Sequence, residues 1–282
     1  MTEIRPAALT DFDALLPLLL GGFRSPPPPQ LLQTLFQPRW DNPHKNAGWM
    51  LIAQGRPVGF LGTLFSRRPT PRGRQVFCNL SLWHVLPEYR SESLLLLMQA
   101  LRMRDVTITN FTGNKVTPIL RKFGFSQVDE RFTILFPFPV PSSLKMEVLF
   151  DPRAMRPELQ GDALRVLEDH LSLPCRHLLL KTSQGACHIL YNIVRKKGLR
   201  VMQVLYRSDP VLFLQNLRGL CWKVCTTQNL AGMMIGDNFL AGKPLKAALQ
   251  VVQREAHLFR SAVLNRFEMD MAYSELQLFG LP

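Results

Sequence analysis

The sequence predicts an α+β fold made of two similar halves, and three observations carry that reading. Segments with strand and helix character alternate along all 282 residues. A strand, a tight turn and a helix at residues 77–101 recur roughly 117 residues later, around residues 204–224. Between them Pro137, Pro139 and Pro141, with Ser142 and Ser143, read as a linker that divides the chain into 1–140 and 141–282.

The first strand–turn–helix organises its half. Residues 76–85 are rich in β-branched and aromatic side chains, as a strand requires. Pro87 cannot donate to a sheet ladder and biases Leu86 towards extended geometry, so the strand ends there. Ser91 is the expected N-cap of a helix through the apolar run Leu94 to Met98. Unpaired N–H groups at such a helix start form, with the helix dipole, a site for anions.

Before this unit come a short strand at Ile4 to Ala8 and a helix at Asp11 to Leu20 with Thr10 as its cap and Asp13 completing a capping box. Pro26 to Pro29 is a stiff connector. A short helix from Gln30 to Phe36 follows, and Pro38 ends it. Strands at Trp49–Ala53 and Val58–Phe65 flank the hairpin signal Gln54-Gly55-Arg56-Pro57. Arg67, Arg68, Arg72 and Arg74 then form a basic Pro/Gly loop, which the sequence offers as a phosphate-facing patch. After the organising unit come a strand at Val106–Phe111, a helix near Asn114–Lys122 and a strand at Arg131–Phe136.

In the second half, residues 157–171 read as a helix. His177–Thr182, Cys187–Val194 and Leu199–Tyr206 read as strands, and a helix runs from about Asp209 to Val224. Leu230–Ile235 is the next strand. Lys243–Leu264 is rich in good helix formers and reads as a helix, and Tyr273–Phe279 as a terminal strand. Pro210 removes one N–H donor from the first helical turn.

Val85-Leu86-Pro87-Glu88-Tyr89-Arg90 resembles the start of the acyl-CoA-binding motif of the GNAT superfamily of N-acyltransferases. There the strand is followed by R-x-x-G-x-G/A. The matching run here is Arg90-Ser91-Glu92-Ser93-Leu94-Leu95, with the arginine present and Ser93 and Leu95 in place of the glycines. Asn114 to Phe125 resembles the family's Asn-led helix ending in Gly-Phe, with Leu120 where a tyrosine often serves as general acid. The resemblance implies two tandem GNAT-like domains, each a mixed, mostly antiparallel sheet flanked by helices. It implies an acyl-CoA N-acyltransferase. Acetyl-CoA or another acyl-CoA, or a carrier-protein thioester, would be the donor and an amine the acceptor. The CoA site would comprise Val85, Arg90, Ser91, Glu92, Ser93, Leu94, Leu95 and Asn114, with a backbone N–H near Val85 polarising the thioester carbonyl. The missing glycines and the negative charge of Glu92 keep a second reading open, an inactive scaffold that binds a ligand or partner.

For catalysis, His84 is the natural general base. Strict alternation would put it with Leu80 and Leu82 on the more apolar face, where it reads equally as a core histidine, and would set Asn79, Ser81 and Trp83 on the other face as a polar row that would line the acceptor groove instead.

Composition bounds the rest. The chain is 46% hydrophobic with net charge +13, enough apolar material for a large core and an excess of positive charge spread over both halves. That favours anionic partners. No interleaved aromatics or known motif point to nucleic acid. The five cysteines lack a disulfide spacing, which argues for a reducing, cytoplasmic setting. No His or Cys spacing predicts a metal site. No run approaches the ~20 apolar residues of a membrane span, and Glu3, Asp11 and Asp13 interrupt any signal-peptide core.

Overall fold

The computed structural model describes residues 2–23, 25–37, 40–111, 115–242, 245, 246, 248–252 and 257–280. It holds two seven-stranded mixed sheets with helices on their faces.

The first half supplies β1 (Thr2–Ala7), α1 (Phe12–Gly21), α2 (Pro29–Gln33), β2 (Gly48–Ala53), β3 (Arg56–Thr70), β4 (Gly73–Val85), α3 (Ser93–Leu101), β5 (Val106–Asn110), α4 (Thr117–Lys122), β6 (Ser126–Gln127) and β7 (Arg131–Leu135). The second half supplies β8 (Glu147–Leu149), α5 (Pro152–Met155), α6 (Gly161–His170), β9 (Arg176–Thr182), β10 (Gly185–Lys196), β11 (Leu199–Arg207), α7 (Pro210–Gln228), β12 (Gly232–Gly236), β13 (Leu249–Val252), β14 (Leu258–Arg260) and α8 (Glu275–Leu278). The first sheet runs β1-β2-β3-β4-β5-β14-β6 and the second β13-β7-β12-β11-β10-β9-β8. Each has one parallel pair, β4–β5 and β11–β12, as a strand–helix–strand connection demands.

The sheets exchange strands. β7, expected as the last strand of the first half, lies in the second sheet between β12 and β13. β14 returns from the second half to lie between β5 and β6. Each half therefore completes the other's sheet. The proline-rich stretch is not slack either. Residues 141–145 form a 3-10 turn with Ser143 buried, set so closely on α7 that a Cβ at Gly219 would lie 3.1 Å from the Ser143 amide nitrogen.

Other expectations change for local reasons. Thr10 is not the cap: Asp11 stands at the cap position of α1 without a side-chain cap bond. Its carboxylate accepts the Ala8 N–H at 2.7 Å and holds Arg5 with two bonds of 2.7 and 2.9 Å. Residues 157–171 form a 3-10 turn and then α6, broken where Gly161 takes a positive φ. The helix expected over 243–264 is contradicted by β13 and β14: pairing with β7 and β5 overrides a helical composition. Lys243 and residues 244, 247 and 253–256 lie outside the described residues, as does Pro38. The terminal strand expected at 273–279 is instead the short helix α8, capped by Ser274 and Gln277.

α1 and α2 cover one face of the first sheet: Leu15, Leu19 and Leu32 share a core with Met50, Phe60 and Leu64. That core continues into the second half through Leu190, Leu205, Met271 and Tyr273. α3 and α4 cover the opposite face with Leu96, Leu97 and Leu120. In the second half α7 buries Leu217, Leu220 and Cys221 against β10, β11 and β12. All five cysteines are buried free thiols.

Candidate active site

The site begins where β4 breaks its alternation. Phe60 pairs with His84 and Gly62 with Ser81, so Leu61 alone faces both Leu82 and Trp83. Leu82 adopts φ +49°, uncommon for a leucine. This β-bulge resets the pleat. Leu80, Ser81, Leu82, Trp83 and His84 all contribute to one cavity wall, and the strict two-face assignment of the sequence reading does not hold here.

A second opening lies beside it. The parallel β4–β5 pairing ends at Asn79–Thr109, while β4 continues to Val85. The two strands part, and among the described residues the edge of residues 80–85 that faces β5 has no strand partner, apart from an Asn110 side-chain bond to the Leu80 carbonyl at 3.2 Å.

The cavity has a volume of about 440 Å³. The α1–α2 segment roofs it with Leu19, Phe23, Pro27, Leu31 and Leu32. Asn110, Val116 and Leu120 close one side, and Glu275 and Phe279 of the C-terminal segment close another. His84 sits under the roof, with Gly22 so near that a Cβ there would be 3.0 Å from the imidazole Cγ. Burial, and then the positive charge of Arg90, hold the His84 pKa below the ordinary histidine value. The neutral imidazole therefore predominates at pH 7.

Of the three residues expected in catalysis, Ser81 and His84 line the cavity. Asn79 does not. It is buried behind the wall, donating to Thr109 Oγ1 at 3.0 Å and accepting the Glu275 N–H at 3.1 Å. Its geometry makes it a bracket for α8.

The expected CoA residues lie beyond the end of β4. Val85 pairs with Gly59 and is buried. Pro87–Glu92 form a 3-10 turn that carries an exposed Arg90 and Ser91. Ser91 is not the cap: α3 begins at Ser93 with Glu92 at the cap position and no side-chain cap bond. The Glu92 carboxylate accepts a hydrogen bond from the Thr2 hydroxyl. Leu94 and Leu95 are exposed on the first turn of α3. Asn114 lies outside the described residues.

The second half offers the same plan with its openings filled. Pairing of β11 with β12 ends at Gln203–Met234. There the chain inserts its own residues 269–271: the Met271 N–H donates to the Leu205 carbonyl at 2.9 Å, and Asn238 donates to the Met269 carbonyl at 3.0 Å. The start of α7 is capped by Asp209, which accepts from the Val211 and Leu212 N–H groups at 2.9 Å each. A carboxylate already occupies the place an anion would take.

The basic segment proves to be a clamp between the halves, which corrects its reading as a phosphate-facing loop. Arg68 is buried. It donates to Asp270 at 2.5 Å and to the Ala272 carbonyl at 3.1 Å, and lies 3.7 Å from the centroid of the Phe77 ring. Arg72 pairs with Glu268 at 3.1 Å and Arg74 with Asp162 at 3.2 Å. Only Arg67 of the four is an exposed cation with no ion pair among the described residues.

Sequence reasoning missed Glu275, Phe279 and the bulge. The bulge leaves no signal in residue type. The α8 helix does: Ser274-Glu275-Leu276-Gln277 has the spacing of a capping box.

Among the described residues no helix is long and apolar enough to cross a membrane, and no cluster of three or more metal-ligating side chains occurs. No protein-family model matches the chain, and no curated protein matches it. Solved structures do. A GCN5-related N-acetyltransferase from Anabaena variabilis superposes with a TM-score of 0.58 at 11% identity, over 92% of this chain and 72% of that one. Eis1 from Mycobacterium abscessus gives 0.53 at 14% identity, over 92% and 73%. A GCN5-related N-acetyltransferase from Kribbella flavida gives 0.53 at 12% identity, over 92% and 72%. With two mixed seven-stranded sheets, each opening at the end of its parallel pair, the chain has the tandem fold of the GCN5-related N-acetyltransferases.

Proposed function

We infer that this protein transfers an acyl group from an acyl-CoA thioester to an amine, at the cavity of the first half. The observation that carries the reading is the conjunction at the end of β4. A bulge, a parted strand pair and a neutral histidine meet at one large cavity, while the equivalent opening in the second half is filled by its own chain.

The unpartnered edge of residues 80–85 suits an extended chain carrying amide groups, such as the pantetheine arm, by strand-like hydrogen bonding. Arg90 and the start of α3, free of a side-chain cap, suit the pyrophosphate. Glu92 opposes it, and its bond to Thr2 holds the negative charge at the helix start.

In the reaction the amine nitrogen attacks the thioester carbonyl, a C–N bond forms and the C–S bond breaks. His84 takes the proton the amine must lose, and the thiolate leaves. A thiol of pKa about 8.5 is a good enough leaving group to need no strong acid, consistent with a buried leucine at position 120. A backbone N–H near Val85 would polarise the carbonyl.

Glu92, Ser93 and Leu95 favour one alternative, a non-catalytic scaffold. Calorimetry with acetyl-CoA and longer acyl-CoAs separates the two. Arg90→Ala should weaken binding by ~1.5–3 kcal/mol, the range for hydrogen bonds to charged groups. If no acyl-CoA binds the wild-type protein, the scaffold reading stands. We place the protein in a reducing, cytoplasmic setting, which the buried free thiols support.

A further inference from the structure

One end of the second sheet carries charge of a single sign. β10 and β11 meet there in a two-residue turn, with Lys197 at φ +50° and Gly198 at φ +82°. Arg195, Lys196, Lys197 and Arg200 are exposed, and none makes an ion pair among the described residues. Arg195 lies directly opposite Arg200 in the register, and like charges so placed destabilise a hairpin until an anion compensates them. β9 pairs with β10 no further than Tyr191, so the hairpin runs on past that neighbour.

The chain supplies no counter-charge at this end. Arg131 to Met146 contains no acid, and His170 to Val252 contains only Asp209 and Asp237. Those two stretches build six of the seven strands of the sheet. Asp209 caps α7 after β11, and Asp237 follows β12 and pairs with Arg266, so both stand at the opposite end. Apolar side chains share the basic end instead. Leu199 opens β11, Leu249 opens β13, and Phe136 and Phe138 leave the end of β7. All four are exposed, three of them by more than half. From β10 to β13 is four strand spacings, about 19 Å, so the cations and the apolar side chains form one rim.

A small anion calls for cations that converge, whereas these are spread along the rim. A nucleic acid uses the charge and can stack on phenylalanine, but it leaves Leu199 and Leu249 in water. An anionic bilayer uses both features: the cations meet the headgroups while leucine and phenylalanine enter beneath them. We propose that this end of the second sheet docks on an anionic membrane surface, with the 195–200 hairpin and Leu199 as its anchor. The association is peripheral and reversible, and it needs no spanning helix; none occurs among the described residues. The inference is independent of the acyl-transfer reading.

The test is co-sedimentation of the full chain with vesicles of phosphatidylcholine alone, or of equal parts phosphatidylcholine and phosphatidylglycerol. The anionic vesicles should bind at least about tenfold more tightly, and their binding should weaken as salt rises. Each cation near such a surface strengthens binding roughly fivefold. Lys196→Gln combined with Lys197→Gln should therefore lose about twentyfold. Arg102→Gln combined with Arg104→Gln, exposed on the first half, removes the same two charges and should stay within about twofold of wild type. Leu199→Ser should lose about fivefold with its salt dependence unchanged. All these substitutions fall on exposed side chains, and circular dichroism checks that each variant is folded. Equal binding to the two kinds of vesicle would overturn the proposal. So would an equal loss for the two double variants, or a Leu199→Ser protein that binds as wild type does. Poly(U) bound more tightly than anionic vesicles at equal phosphate, and released by the Lys196 and Lys197 changes, would assign the rim to nucleic acid and overturn it as well.

Discussion

Replacing Arg68 with methionine tests whether the basic hairpin is a clamp or a phosphate patch. The substitution keeps an unbranched side chain and removes the charge. The Arg68 side chain is 7% exposed and that of Asp270 25%, so the pair is largely, not fully, removed from water. Breaking a buried pair by deleting one partner costs about 3–5 kcal/mol. Partial exposure lets Asp270 rehydrate and favours the lower end. Loss of the bond to the Ala272 carbonyl and of the stacking on Phe77 works the other way. We expect about 3 kcal/mol, a large share of the 5–15 kcal/mol typical of a folded domain. Urea unfolding followed by circular dichroism measures it. Arg74→Met serves as the control: its pair with Asp162 is 53% and 44% exposed, and such pairs contribute about 0–1 kcal/mol. A loss below about 1 kcal/mol for Arg68→Met, or weaker acyl-CoA binding with stability unchanged, would refute the clamp.

Three further outcomes follow from the site. Gly22→Val should press on the His84 ring, because a Cβ already comes to 3.0 Å. Thiol release should fall at least about tenfold, as for a misplaced catalytic group, with the circular dichroism spectrum unchanged. The His84 pKa is lowered, so the base form persists as pH falls below neutrality and kcat/KM should be flat through pH 7. Arg90→Ala removes a positive charge that opposes protonation, so the acid limb of the pH profile should move to higher pH. A limb that stays put or moves lower would exclude His84 as the base. Glu92→Gln removes the carboxylate charge from the start of α3. It should tighten acyl-CoA by about 1 kcal/mol after screening, and calorimetry showing no gain would mean the pyrophosphate lies elsewhere.

What the sequence conveyed was mostly local. Strong punctuation set β2–β3, β9–β10 and β10–β11, where Gly55, Gly185 and Gly198 take positive φ. Asp209 and Pro210 marked the start of α7. The β4–α3 unit was legible because β-branched residues, a proline and an apolar run stand in a fixed order. What escaped the reading was decided at a distance. Nothing in Arg131–Leu135 or Leu258–Arg260 says which sheet each will join; that is settled by which edges remain unpaired. Leu82 and Trp83 look like any alternating pair, and the bulge shows only once Leu61 lies opposite both. Asn79 reads as a lining residue and turns out to be a bracket, because its partner Glu275 is 196 residues away.

The reciprocal exchange of β7 and β14 also bears on how the chain matures. The first half cannot close its sheet as it leaves the ribosome, since one of its strands is made only at residues 258–260. Its cavity lacks a wall until residues 275 and 279 arrive. Pairings of such sequence separation form slowly and leave edges exposed in the meantime. A truncated product ending anywhere before Leu258 would thus have neither a complete sheet nor a complete cavity, and chaperones would be the natural custodians of the nascent chain. The same arrangement binds the inheritance of the two halves. A half that trades strands with its neighbour cannot be removed or copied alone without leaving a sheet edge unpaired, so even the half whose opening is filled is needed by the other.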